Sequence, residues 1–173
     1  ALATAGVQDA EIYVTAPFEV SGTAALTGII KAYEVSSGEK IPEDVKQAAN
    51  EEMVTTAELG DQIGTDEAAA LVTKIKEEMA TNPPETAAEV ETLIKNAASE
   101  LGIELTDEQL QSLIDLFNKL KDLNIDWNAV GDQLNEAKEK LTNFLSSEEG
   151  QNFLDKVKAF FVSLIDAIKS LFQ

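Results

Sequence analysis

The stretch AEIYVTAPFEVSGTAALTGIIKAYE, residues 10–34, decides how this fold is read. Ile12 and Val14 alternate with Glu11, Tyr13 and Thr15, the period of two that marks a half-buried strand. Pro17 breaks the run, because it has no N–H to give a ladder. Ser21 and Gly22 then open a second pattern, in which Leu26, Ile29, Ile30 and Tyr33 fall on one face of a helix. A strand leaves its backbone donors and acceptors open unless neighbours take them. Nothing else in the 173 residues reads convincingly as β. The strand near Ile12 is therefore expected to be a remnant of an α/β portion. Its partners then lie in residues ahead of Ala1 or in another copy of the chain, and the second case gives self-association by strand addition.

Working outward, residues 1–5 read as the end of a helix stopped by Gly6 as a C-cap. The chain starts ALATAG, with no Met and no basic stretch followed by an apolar one. No signal peptide is expected within it, and it is expected to be processed, or cut from something longer. Downstream, Pro42 suits the first turn of a helix running to about Leu59 and stopped by Gly60. Thr65 is expected to cap the next helix, with the stripe Ala68, Val72, Ile75 and Met79. TNPPET, residues 81–86, cannot continue that helix, and a boundary is placed there. Residues 1–81 form a strand-plus-helices segment, and residues 82–173 a four-helix bundle or array.

In that second segment Ala87, Val90, Ile94, Ala97 and Leu101 step by three and four. Thr106 and Gln109 make a capping box ahead of Leu110, Leu113, Phe117, Leu120 and Leu123. Asp126 caps a helix striped by Trp127, Val130, Leu134, Ala137, Leu141 and Phe144. A last stripe holds Leu154, Val157, Phe161, Leu164, Ile168 and Leu171. At ~1.5–3 kcal/mol per fully buried side chain, four such stripes offset much of the ordering entropy, so this segment is expected to fold alone. A single unpaired strand with a few helices is not. The expected fold class is mainly α, a short strand–helix remnant of an α/β portion followed by a multi-helix bundle.

Composition narrows the chemistry. Hydrophobic residues make up 44%, and 32 acids against 13 bases give a net charge of -19. Every base is lysine; arginine, histidine and cysteine are absent. So acidic a surface repels phosphate backbones and anionic membranes, so no nucleic acid partner is expected and a membrane is disfavoured. The usual ligands for zinc and transition metals are missing, as are Ser-His and Cys-His nucleophile pairs. The bidentate arginine clamp is missing too. No catalytic residue, metal or cofactor is assigned. Lack of cysteine fits both secreted and cytosolic proteins. The longest apolar run, AFFVSLI from Ala159, is far shorter than the ~18 residues of a membrane span.

Several short patterns have a chemical reading beside a structural one. Ser21, Gly22 and Thr23 sit between strand and helix, where free N–H groups and a partial positive charge suit an anion. One glycine, no lysine and nearby Glu19 favour a plain helix cap instead. Ser37 and Lys40 have the spacing of a serine-lysine nucleophile pair, yet they fall in a loop with no companion motif. Asp122, Asn124, Asp126 and Asn128 alternate like the start of a calcium loop, but Trp127 stands where that loop needs glycine and Gln133 where it needs glutamate. Trp127, Tyr13 and Tyr33 could form a sugar platform, although Trp127 lies in an apolar stripe and is better read as core. The C-terminal helix carries Phe153, Phe160, Phe161 and Phe172 on a face wider than one seam needs. It reads either as the central helix of the bundle or as a surface for a protein partner, a second copy or, less well, a membrane interface.

TAGVQDAEIYVTAPFEVSGTAALTGIIKAYE, ANEEMVTTAELGDQIG and the LTDEQ helix start together resemble a family of secreted or cell-envelope proteins of Gram-positive bacteria, known only as a domain of unknown function. The likeness covers nearly the whole chain and is densest before Gly64. Members of that family begin with a signal peptide and a strand-containing segment, so the resemblance implies upstream partners for the strand and a secreted origin. It carries no catalytic residues across. The expected function is that of a secreted or cell-envelope module, non-enzymatic, acting by protein–protein contact through the strand near Ile12 or the C-terminal helix. The alternatives are a carboxylate-dependent hydrolase of cell-wall or peptide material, and a fragment whose site needs the upstream segment.

Overall fold

The computed structural model describes residues 1–8 and 10–147. These contain six helices: α1 (Gly22–Ser37), α2 (Glu43–Ile63), α3 (Thr65–Thr81), α4 (Ala87–Glu100), α5 (Asp107–Asp122) and α6 (Trp127–Ser146). The chain divides into two compact units, Ala1–Leu134 and Asn135–Gln173. The first holds α1 to α5 and the start of α6. In the second, Glu136 pairs with Lys140 one turn along α6 at 2.6 Å.

Within the first unit α2 packs on α3, α3 on α4, α4 on α5, and α5 back on α2. Four helices thereby close a ring around one core, in which Leu71, Ile75, Met79, Ile94, Leu113, Leu116, Phe117 and Leu120 are almost wholly buried. Trp127 packs against the same core. Most of the stripe residues read for α3, α4 and α5 meet there, whereas Ala87 and Leu101 of α4 and Leu141 and Phe144 of the α6 stripe are exposed, and the core runs unbroken past Pro83 and Pro84. Helix starts are fixed locally. Thr86 with Glu89, and Thr106 with Gln109, form complete capping boxes, and Asp126 accepts from the Ala129 N–H at 3.0 Å. Each satisfies donors that a helix start leaves open.

Among the described helices, α1 packs on α2 alone. It buries Leu26 and Ile30 in a second, smaller core with Ala5, Val7, Ile41, Val45 and Ala49. Ala5 and Val7 reach that core because residues 1–7 end a helical turn as expected. Gly6 takes φ +79°, its N–H donates to the Ala3 carbonyl, and the Val7 N–H reaches back to that of Leu2. That pair of bonds is the Schellman ending.

Three expectations are corrected. The strand–helix remnant is not formed: residues 10–16 carry no ladder, and no strand occurs among the described residues. The residue preferences for a strand are present, but a ladder needs a second chain segment, and none comes alongside. α2 does not stop at Gly60 but runs through it to Ile63. Gly60 is buried, and a Cβ there would lie 3.2 Å from the Cα of Thr65, so this glycine admits the start of α3 rather than ending a helix. Thr65 is not a cap. It is the first residue of α3, and Gly64, at φ +110°, takes the cap position.

Candidate functional site

A groove of about 540 Å³ lies between residues 10–16 and the outer side of α1. Ala10, Ile12, Val14 and Val20 line it from the irregular segment, and Ala24, Gly28, Ile29 and Ala32 from the helix. The segment is open to solvent throughout. Tyr13 is 85% and Phe18 72% exposed, with Ile12, Val14 and Val20 also exposed. Large apolar side chains standing singly in water need no explanation, but a run of them beside a groove does. The Tyr13 hydroxyl donates to Glu11 at 2.5 Å, and this bond to the carboxylate raises the pKa of the phenol.

α1 is held in place at its C-terminal end. Glu34 accepts from Lys46 of α2 at 3.1 Å and from the backbone N–H of Ile41 at 3.0 Å. The Lys46 bond first, then the Ile41 bond, hold the Glu34 carboxyl below its ordinary value. The outer side of α1 is therefore presented by a fixed helix. Gly28 lies in the middle of it, and a Cβ built there meets nothing within 4 Å. A mid-helix glycine costs about 1 kcal/mol relative to alanine, and no packing among the described residues requires this one.

A buried ionic cluster clasps the N-terminal turn to the bundle. Glu52 and Lys76 are each only 4% exposed. Glu52 Oε1 accepts from Lys76 Nζ at 3.0 Å and from the Ala1 amine at 2.7 Å, and its other oxygen accepts from the Thr4 hydroxyl. Burial pushes the Glu52 carboxyl up, but Lys76, the Ala1 amine and Thr4 outweigh it and hold it at about 2. The carboxylate's side-chain ion-pair partner is Lys76. A carboxyl kept ionised suits a clasp, not a general acid.

The residues singled out from the sequence are placed as follows. Ser21 is the N-cap of α1, accepting from the Ala24 N–H at 3.2 Å, and its hydroxyl lies 3.1 Å from that of Thr23. Gly22 is the first residue of α1. Ser37 ends α1, with its hydroxyl donating to the Tyr33 carbonyl at 2.8 Å. Asp122 ends α5, bound to Lys121, while Asp126 caps α6. Phe153, Phe160, Phe161 and Phe172 lie outside the described residues. Tyr13 and Tyr33 both line the groove, whereas Trp127 packs in the bundle, so no aromatic platform joins them.

The Glu52–Lys76 clasp is not among the sequence expectations, although the sequence carries a signal for it. In α2 the buried positions Val45, Ala48, Ala49 and Leu59 set a stripe, and Glu52 falls within it. Lys76 falls in the same way among Ala68, Leu71, Val72, Ile75 and Met79 of α3. Opposite charges inside two apolar stripes point to a buried pair.

Among the described residues, no group of acidic side chains is arranged to hold a metal ion. None of their helices is long and apolar enough to cross a membrane. Residues 1–137 match the model of a family described as "Protein of unknown function (DUF1002)". The chain is 61% identical over 174 residues to the uncharacterized protein YpuA of Bacillus subtilis (strain 168), an alignment covering 100% of this chain and 60% of the relative. It thus spans about three-fifths of that relative's length. No solved structure matches.

Proposed function

This chain belongs to the DUF1002 family of proteins of unknown function, and from that premise we propose that it is a non-enzymatic module, secreted or held in the cell envelope, which acts by protein–protein contact. The groove between residues 10–16 and α1 is the contact surface. The observation that carries this reading is the exposed apolar run Ile12, Val14, Phe18 and Val20 beside a groove of about 540 Å³. Apolar surface of that kind is stabilised by being covered. The bundle behind it supplies a fixed support, since α1 is anchored through Leu26, Ile30 and Glu34. The buried carboxylate is committed to Lys76 and serves the fold. The envelope location rests on the resemblance of residues 4–34 and 49–64 to secreted proteins of Gram-positive bacteria.

A photo-crosslinking side chain placed in the longer relative at the position that aligns with Phe18 of this chain, in Gram-positive cells, tests the contact. A discrete polypeptide adduct is expected, and Gly28→Trp, which fills the groove, should abolish it. No adduct, or one indifferent to Gly28→Trp, overturns the reading. Digestion by protease added to intact protoplasts tests the location: a protein protected until lysis is not in the envelope.

A further inference from the structure

A groove that makes protein contacts has an occupant, and the backbone beside this one indicates its chemistry, provided that the contact proposed above is real. We propose that the groove takes an extended polypeptide segment of another protein, apolar at alternate positions and basic at its ends, which adds to residues 10–16 as a β-strand.

The first support is the state of the backbone. Residues 10–20 are eleven, of which Pro17 has no N–H, so the segment offers ten donors and eleven carbonyls. None of them makes a hydrogen bond within the described chain; the nearest bonds end at Val7 and begin again with the Ser21 carbonyl. Of the ligands a groove can take, a peptide in extended form is the one that matches a row of free N–H and C=O groups.

The second is a conflict between local preference and observed structure. Ile12, Tyr13, Val14 and Thr15 are four consecutive residues of the β-branched and aromatic kinds that favour strands, yet they form no strand. Connecting segments are ordinarily built from glycine, proline, asparagine, aspartate and serine. A disagreement between levels of this kind marks a functional segment more often than an error of folding. A partner strand removes it.

Gly28 gives the third. The open space over its Cα lets an incoming backbone lie against α1, the close approach for which glycine is suited.

Charge decides between partners. The groove is lined by Glu11 and by no lysine, Glu19 lies further along the same segment, and the whole chain carries -19. A second copy brings the same charge and is repelled, whereas a segment with lysine or arginine at its ends is attracted.

The probe is a short peptide alternating valine and threonine between terminal lysines, titrated into the isotope-labelled chain and followed by amide chemical shifts and hydrogen exchange. Binding should shift residues 10–20 and α1, and should slow exchange at alternate amides of residues 10–16. Methylating the peptide's alternate backbone nitrogens should weaken binding about tenfold or more, as should replacing its lysines by glutamate. Gly28→Trp should do the same, with helix content by circular dichroism showing that the fold is kept. Ile12→Pro removes one donor outside the packed structure and should also weaken binding.

Equal binding by methylated and unmethylated peptides overturns the proposal, as does binding elsewhere on the chain. Dimerisation through residues 10–20 in light scattering would assign the groove to a second copy. Binding by this chain but not by the longer relative would assign it to a segment in cis. In each case the inference fails, while the crosslinking result at Phe18 decides separately whether the groove is a protein contact at all.

Discussion

Removing one partner of the Glu52–Lys76 pair should cost more than removing both. Glu52→Gln keeps the shape and a hydrogen-bond acceptor but leaves Lys76, 4% exposed, as an uncompensated buried cation. Two estimates of the cost agree. A carboxyl lowered from 4.5 to about 2 corresponds to about 3 kcal/mol, and breaking a buried pair on one side costs ~3–5 kcal/mol. Replacing both, as Glu52→Leu with Lys76→Met, removes the two desolvated charges but leaves the buried Thr4 hydroxyl without its acceptor, so the double variant should recover part of the loss and lie about 1–2 kcal/mol below the parent. The pH dependence has a definite sign. The carboxyl is lowered in the folded state, so its contribution is fully present above about 4.5 and fades as pH falls towards about 2. The double variant lacks that part of the acid loss. Trp127, the only tryptophan, packs against the bundle core, so urea unfolding followed by its fluorescence reads this unit. Glu52→Gln should lower the stability at pH 7 by about 3 kcal/mol, or the midpoint temperature by about 10 °C. A loss below about 1 kcal/mol, or a double variant as unstable as the single, refutes the reasoning.

Gly28→Ala should raise stability by about 0.5–1 kcal/mol in thermal unfolding, since the site has room for a Cβ and alanine favours the helix; a loss would mean that the chain itself needs the glycine. Gly64→Ala should destabilise, because φ is +110° and a Cβ there collides with the Glu67 carboxylate, with the loss read in the same thermal unfolding. Thr106→Ala removes one arm of a capping box and should cost about 1 kcal/mol in urea unfolding. Phe117→Ala, at the fully buried centre of the bundle, should cost about 3–5 kcal/mol, with a broadened, exposed tryptophan emission if the core around Trp127 loosens.

Much of the local structure is legible in the chain. Thr106 with Gln109, Asp126, Gly6 and the apolar stripes of α3 and α5 can be found by reading alone, because each is settled by residues within four positions of one another. Thr86 with Glu89 carries the same signal directly after the prolines. Gly60 shows where such reading stops. A glycine inside a helix pattern marks either an end or a close approach, and only the position of Thr65 decides which. Of the candidate site, Ile12, Tyr13 and Val14 stand out in sequence, and so does the absence of a strand to pair with them. The wall made by Gly28 and Ala32 does not, since small residues on an exposed helix face look the same with or without a groove.

Sequence by itself determined that this is a helical chain, where most of its helices start, which face of α3, α4 and α5 is apolar, and that it holds no arginine, histidine or cysteine for chemistry. The three-dimensional arrangement decided that α2, α3, α4 and α5 close one core across Pro83 and Pro84, that Glu52 and Lys76 meet inside it, and that residues 10–16 find no ladder. The physical reason is range. Caps and stripes depend on neighbours a turn away, whereas an apolar face fits many other apolar faces about equally well. Which ones meet is settled only when volume, buried charge and backbone hydrogen bonds are satisfied together.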